Sequence, residues 1–211
     1  MLIYSLPLLA PAALVFAAML IWRRSDLAPT ASAQLSEFAA FFAFAIGWVT
    51  FGLLLIQGQG DSPLLGFLGV GLQARVDVIS VTMLLLVSFI GWVVVRYSRT
   101  YMDGEARQNN FTMWLLLTLA AVLTVVQSGG LVQFVAAWIA TSLCLHKLLL
   151  FYPERIAAQR AAHKKFVTAR AGDFALVAAA ALLYLAYGSL QISSILSAAK
   201  LGEGGAPATA A

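Results

Sequence analysis

Six stretches of the chain, roughly residues 3–22, 36–56, 78–96, 111–127, 131–152 and 173–195, are each apolar enough to lie in hydrocarbon. Each approaches the length of about 20 residues that an α-helix needs to cross a bilayer. Backbone polar groups have no water to bond inside a membrane, so an apolar run of this length is driven to helix. The fold class that follows is an all-α membrane protein, a bundle of about six transmembrane helices. Only 10% of the 211 residues are charged, against about 25% in soluble domains. The breakers between spans are "RRSDLAPTASAQ", "GQGDSP", "DGEARQNN", "QSGG" and "PERIAAQRAAHKK". "QSGG" predicts a tight antiparallel hairpin between spans four and five. Residues 57–77 are Gly-rich and read as a loop at the interface. The expected organisation is a six-helix domain over 1–196 and a flexible tail over 197–211, where small residues dominate.

Charge then orients the spans. Arg23, Arg24, Arg96, Arg99, Arg107, Arg155, Arg160, Lys164, Lys165 and Arg170 fall on one side, against only Arg75 and Lys200 on the other. By the positive-inside rule the basic side faces the cytoplasm, which puts both termini outside, in the periplasm of a bacterial inner membrane. No positive charge precedes the first apolar run, and Arg23 and Arg24 follow it. That polarity is opposite to a secretory signal, so "ASA" at 31–33 is read as part of an uncleaved chain. The basic excess is thus orientational and implies no nucleic-acid partner. Arg155, Arg160, Lys164 and Lys165 could receive an acidic soluble partner. Cys144 is the only cysteine, which excludes an intrachain disulfide and a Cys-based metal site. There is no phosphate-binding loop, dinucleotide fingerprint or metal spacing. Nothing in the sequence supports soluble enzyme chemistry, and the chain is read as having no metal site and no cofactor of its own.

The ionisable residues inside spans carry the functional question. His146 and Lys147 stand in "WIATSLCLHKLLLF", roughly 9–10 Å from the end of a helix running to Pro153. Lys147 could snorkel to the headgroups with His146 bonded to a neighbouring helix. Alternatively the pair serves a proton or ion relay, since ionisable residues in spans face bundle interiors or wet cavities. Ser142 and His146, four apart, share a face, as do Cys144 and Lys147 at three. Asp173 reads as the start of helix six, where the helix dipole favours a carboxylate, with Arg170 three residues before it; it is either a cap or an acid facing helix five. Asp77 reads as an N-cap of helix three or a third path residue. Glu37 and Asp26 read as loop charges.

Four segments, in order, carry a resemblance: "VDVISVTMLLL", "RYSRTYM", "FVAAWIATSLCLHKLLLFY" and "KKFVTARAGDFAL". Together, over about residues 75–185, they resemble the antiporter-like membrane subunits of respiratory complex I and cation antiporters. That implies the N-terminal half of the antiporter-like fold. The family's pumping glutamate follows the helix-five tryptophan, and here Ile139 follows Trp138. The family also continues into a broken helix carrying a lysine. With these departures the chain resembles the membrane subunit of DAB-type inorganic-carbon accumulation complexes. The resemblance implies a subunit using a proton or cation gradient to drive carbon dioxide or bicarbonate accumulation. It also implies a large partner similar to a carbonic anhydrase, holding zinc, and another membrane chain supplying the remaining helices. His146, Lys147, Asp173, Arg170 and Asp77 are then the residues of the ion path. The alternatives are a subunit of a quinone oxidoreductase or multi-subunit antiporter, and a non-conducting scaffold.

Overall fold

The computed structural model describes residues 2–24, 28–67, 70–105, 107–152, 154 and 156–201. Arg155, Asp26 and residues 202–211 of the expected tail lie outside them. A 3-10 segment, Leu2–Leu8, leads into α1 (Leu9–Arg23), followed by α2 (Pro29–Gln57), α3 (Val78–Tyr101), α4 (Gln108–Val126), α5 (Leu131–Leu149), α6 (Ile156–Tyr187) and the short α7 (Ile192–Lys200). Six of these helical segments are long and apolar enough to cross a membrane, the first running from Ile3 to Arg23. The protein is multi-pass.

The core lies among α1 to α4. Ala10, Leu14, Ala17 and Ala18 of α1 meet Ala40 and Ala43 of α2, Leu84 of α3, and Leu116, Ala120 and Leu123 of α4. Lipid tails are as apolar as leucine, so helix association in a bilayer rests on close packing, which small residues permit. Hydroxyls are returned to the helices: Thr50 donates to the Ile46 carbonyl and Ser88 to that of Leu84, both four residues back. α5 buries only Gln133 and Ala137, and α6 only Ala162 and Asp173. The α5–α6 pair is therefore an outlying layer, with α5 packed on α4.

The segment after α2 is more structured than an interfacial loop. Strands β1 (Gly60–Asp61) and β4 (Arg75–Val76) pair antiparallel around the hairpin β2 (Leu65–Phe67) and β3 (Val70–Leu72). Glycines permit the close pairing: a Cβ at Gly71 would strike the Leu65 carbonyl oxygen. A cluster of buried amides pins this segment to the α4–α5 turn. Gln133 Oε1 accepts from the Gln73 N–H at 2.7 Å, Gln73 Nε2 donates to the Ser62 carbonyl at 3.1 Å, and the Gly129 N–H donates to the Gln73 carbonyl at 2.9 Å.

Several expected boundaries are corrected. Glu37 sits inside α2, not in a loop, because the helix starts at Pro29, which occupies its first position. The link expected between spans five and six is the first half of α6. Residues 156–171 are rich in Ala, with two Arg and two Lys, and contain no Gly or Pro, so helix propensity carries them. At 32 residues, α6 is about 48 Å long, more than the hydrocarbon requires. It stops at Tyr187, before Gly188 with φ 65°, a left-handed conformation that favours glycine. The expected 196/197 boundary falls within α7.

Candidate functional site

The deepest charge on α6 sets the site. Asp173 is 6% exposed and stands 17 residues after the start of α6, so it caps nothing. Its Oδ2 lies 2.6 Å from Nη2 of Arg170, three residues earlier. Arg170 Nη2 also donates to Ser142 Oγ of α5 at 3.3 Å. Lys165 Nζ donates to the Ser142 carbonyl at 3.2 Å. Ser142 thus receives two cations from α6, one on its hydroxyl and one on its backbone oxygen. One turn further along α5, the His146 ring lies 4.8 Å from Phe166, whose other neighbour is the Arg170 guanidinium at 5.1 Å.

Helical geometry explains the convergence. Lys165, Phe166, Arg170 and Asp173 fall on one side of α6 at about 100° per residue, and Ser142 and His146, four apart, share one side of α5. Where these two faces meet, His146, Lys165, Arg170 and Asp173 form one polar layer between α5 and α6. Removing such groups from water is costly unless they are paired and hydrogen-bonded. The pairing here is incomplete. His146 Nδ1, Arg170 Nε and Asp173 Oδ1 are buried and have no hydrogen-bond partner among the described residues. The layer thus holds three cationic or basic groups, one carboxylate and buried atoms whose hydrogen-bonding capacity is unfilled among the described residues.

Not every expected residue joins this layer. Lys147 is exposed and forms no ion pair or hydrogen bond among the described residues. Both it and His146 stand in the last turn of α5, closer to the end than expected, because the helix stops at Leu149. Asp77 belongs to the opposite end of the bundle. Its Oδ1 accepts from the Ser80 N–H at 2.7 Å, capping α3, and its Oδ2 pairs with Arg75 at 2.8 Å. Both bonds are local, so Asp77 is a structural cap remote from the α5–α6 layer. Arg160 and Lys164 are exposed along the first half of α6, as a docking surface requires, while Lys165, expected there too, turns into the site. Lys165 and Ser142 are the site residues that sequence reasoning did not assign to the path. The four-residue spacing from Ser142 to His146 was the available signal. Ile139, where the resemblance places the missing glutamate, lines an apolar cleft with Val135, Val177 and Tyr184. The polar layer lies nearer the basic side than that position. Among the described residues no group of three His, Cys, Asp or Glu side chains is close enough to hold a metal ion.

Residues 65–112 match the family described as the N-terminus of chain 5 of NADH-ubiquinone oxidoreductase (complex I). Residues 128–209, which include the α5–α6 layer, match the transmembrane family of NADH:quinone oxidoreductase and Mrp antiporters. A probable inorganic carbon transporter subunit DabB of Hydrogenovibrio crunogenus is 44% identical over 126 residues, covering 59% of this chain and 24% of that protein. The probable subunit DabB2 of Halothiobacillus neapolitanus is 39% identical over 167 residues, 77% of this chain and 30% of that protein. A chloroplastic NAD(P)H-quinone oxidoreductase subunit 5 from Zygnema circumcarinatum is 36% identical over 133 residues, 63% of this chain and 19% of that protein. The chain therefore spans less than a third of each of these relatives. In solved structures, the fold matches the Mrp complex from a Dietzia species with TM-score 0.71 and 23% identity, over 89% of this chain and 20% of that one. It also matches an archaeal membrane-bound sulfane sulfur reductase with TM-score 0.72 and 14% identity, over 93% of this chain and 40% of that one.

Proposed function

Because the chain belongs to the antiporter-like membrane subunits of complex I and cation antiporters, we propose that it is the energy-coupling membrane subunit of an inorganic-carbon accumulation complex. Support for the carbon reading comes from the inorganic carbon transporter subunits, at 44%, 39% and 34% identity. The observation that carries the coupling role is the Arg170–Asp173 pair held against Ser142, with Lys165 and His146 beside it. A proton reaching His146 from the basic side converts its ring to imidazolium. Passed on through water to Asp173, it neutralises the carboxylate and breaks the pair with Arg170. The guanidinium then rests on Ser142 alone until the proton leaves and the pair re-forms. Lys165 keeps a second positive charge at the layer and opposes the entry of other cations. The hydration chemistry is assigned to a partner chain similar to a carbonic anhydrase, which would hold the zinc, docking on Arg160 and Lys164. A further membrane chain or segment would cover the outlying α5–α6 layer.

The test is growth in air of a bacterium lacking carbonic anhydrase, expressing the complete complex with this chain. The native complex should restore growth. His146→Leu or Lys165→Met should abolish rescue while the complex still assembles, whereas Lys147→Leu should retain it. If Lys147→Leu fails and Lys165→Met works, the assignment of the path is wrong. A complex that confers sodium tolerance or quinone-linked proton pumping, and no growth in air, would replace the carbon reading with the antiporter or oxidoreductase one.

A further inference from the structure

On the face of the bundle away from α5 and α6, α2 and α3 enclose an open cleft of about 430 Å³ lined by Gln34, Glu37, Phe38, Phe41, Trp92 and Arg99. It lies at the basic end of both helices, Glu37 in the third turn of α2 and Arg99 in the last turn of α3. Glu37 holds two arginines: Oε2 lies 3.1 Å from Arg99 Nη1, and Oε1 lies 3.7 Å from Arg96 Nε. The Arg96 guanidinium stands 5.8 Å from the centre of the Trp92 ring. Below this charged mouth, rings continue toward the bilayer centre. Phe41 meets Trp92 at 5.5 Å, Phe44 stacks on Trp92 at 6.1 Å, and Phe44 meets Phe89 at 5.5 Å and Trp48 at 6.4 Å. Phe41, Phe89 and Trp48 are about half exposed.

We propose that this cleft is a binding site for one anionic phospholipid of the phosphatidylglycerol type, its phosphate on Arg96 and Arg99 and an acyl chain along the aromatic ladder. Charge decides the headgroup. Two guanidiniums on one carboxylate leave a single positive charge unmatched, and the Arg96 side chain is 65% exposed. A phosphodiester with a neutral headgroup completes neutrality. A zwitterionic lipid brings an extra ammonium and restores the surplus. Arg96 and Arg99 lie within the last two turns of a membrane helix, at headgroup level, where basic side chains and tryptophan gather. Each such arginine adds attraction to an anionic surface. Gln34 places an amide in the same mouth, suited to a hydroxylated headgroup.

The full chain, in its complex, is placed in phosphatidylcholine nanodiscs and titrated with phosphatidylglycerol carrying brominated acyl chains. Quenching assigned to Trp92 is taken as the difference from a Trp92→Phe variant. Saturable quenching is expected with phosphatidylglycerol and not with brominated phosphatidylethanolamine at the same fraction. The Arg96→Gln, Arg99→Gln pair should weaken it by about tenfold or more. Glu37→Gln removes the competing carboxylate and should strengthen it, a direction that a merely structural role for Glu37 does not give. The triple variant, neutral throughout and still able to hydrogen-bond, controls for a packing defect. It should bind better than the arginine pair variant, whose remaining Glu37 carboxylate repels the phosphate, and less well than the native cleft. Equal quenching by both lipids, or no response to any of these substitutions, overturns the site. Protection of Trp92 from every lipid in the assembled complex also overturns it, and assigns the face to a protein neighbour.

Discussion

Asp173 is the residue on which structure and function separate most cleanly. Asp173→Asn leaves Arg170 without its carboxylate in a half-buried position, and uncompensated charge beside apolar helices is destabilising. A loss of about 1–3 kcal/mol is expected, read as a lower unfolding midpoint in detergent. Adding Arg170→Gln removes the unpaired cation, so the double variant should recover much of that stability. It should not recover growth in air, because on the proposed path no carboxylate is left to take the proton from His146. If the double variant restores both, the pair is a structural staple. The residue types here were legible in the sequence, and their arrangement was not. Arg170 and Asp173 lie three apart and invited pairing. Lys165 looked like part of a solvated basic run with Lys164, and only the continuity of α6 turns it toward Ser142. Lys147 attracted attention by standing next to His146, but neighbours on a helix point about 100° apart.

At the scale of elements, hydropathy located the spans because the bilayer imposes a length, but it could not locate helix ends that leave the hydrocarbon. The α6 extension is polar, so an apolar window ends near Asp173 while the helix begins at Ile156. Its alanine-rich composition was the better signal. The hairpins between α2 and α3 were hidden for a different reason: their strands are only two or three residues long. They are held less by alternation than by buried amides. Gln133 reaches from α5 to accept the Gln73 N–H at 2.7 Å, and both side chains are buried. Gln133→Leu would leave that N–H unsatisfied, at a cost of about 1–3 kcal/mol. Hydrogen exchange in the complex should then quicken over residues 60–76 while α1 to α4 stay protected. Unchanged exchange in that segment would show that the glycine-mediated strand pairing holds it without Gln133.

For the molecule as a whole, sidedness is built into the fold before any membrane is considered. Tyr4 of the N-terminal segment donates to the Gln57 carbonyl at the end of α2, and Leu131 at the start of α5 donates to the Leu190 carbonyl beyond α6. These contacts gather the N-terminal segment, the hairpins, the α4–α5 turn and α7 at one end. Ser32 and Asn109, bonded at 2.5 Å, join the starts of α2 and α4 at the other. Among the described residues, that second end carries Arg23, Arg24, Arg96, Arg99, Arg107, Arg160, Lys164 and Lys165, and the first carries only Arg75 and Lys200. Moving the basic end across a bilayer opposes the positive-inside bias, so it is expected in the cytoplasm. Cys144, the single cysteine, can be replaced by serine to leave a silent background. A cysteine at Asp103, in the turn between α3 and α4, should then resist a membrane-impermeant maleimide in intact cells and react after lysis. One at Gln59, beside the hairpins, should react in both. Labelling of position 103 in intact cells would invert the topology, and with it the side from which a proton first meets His146.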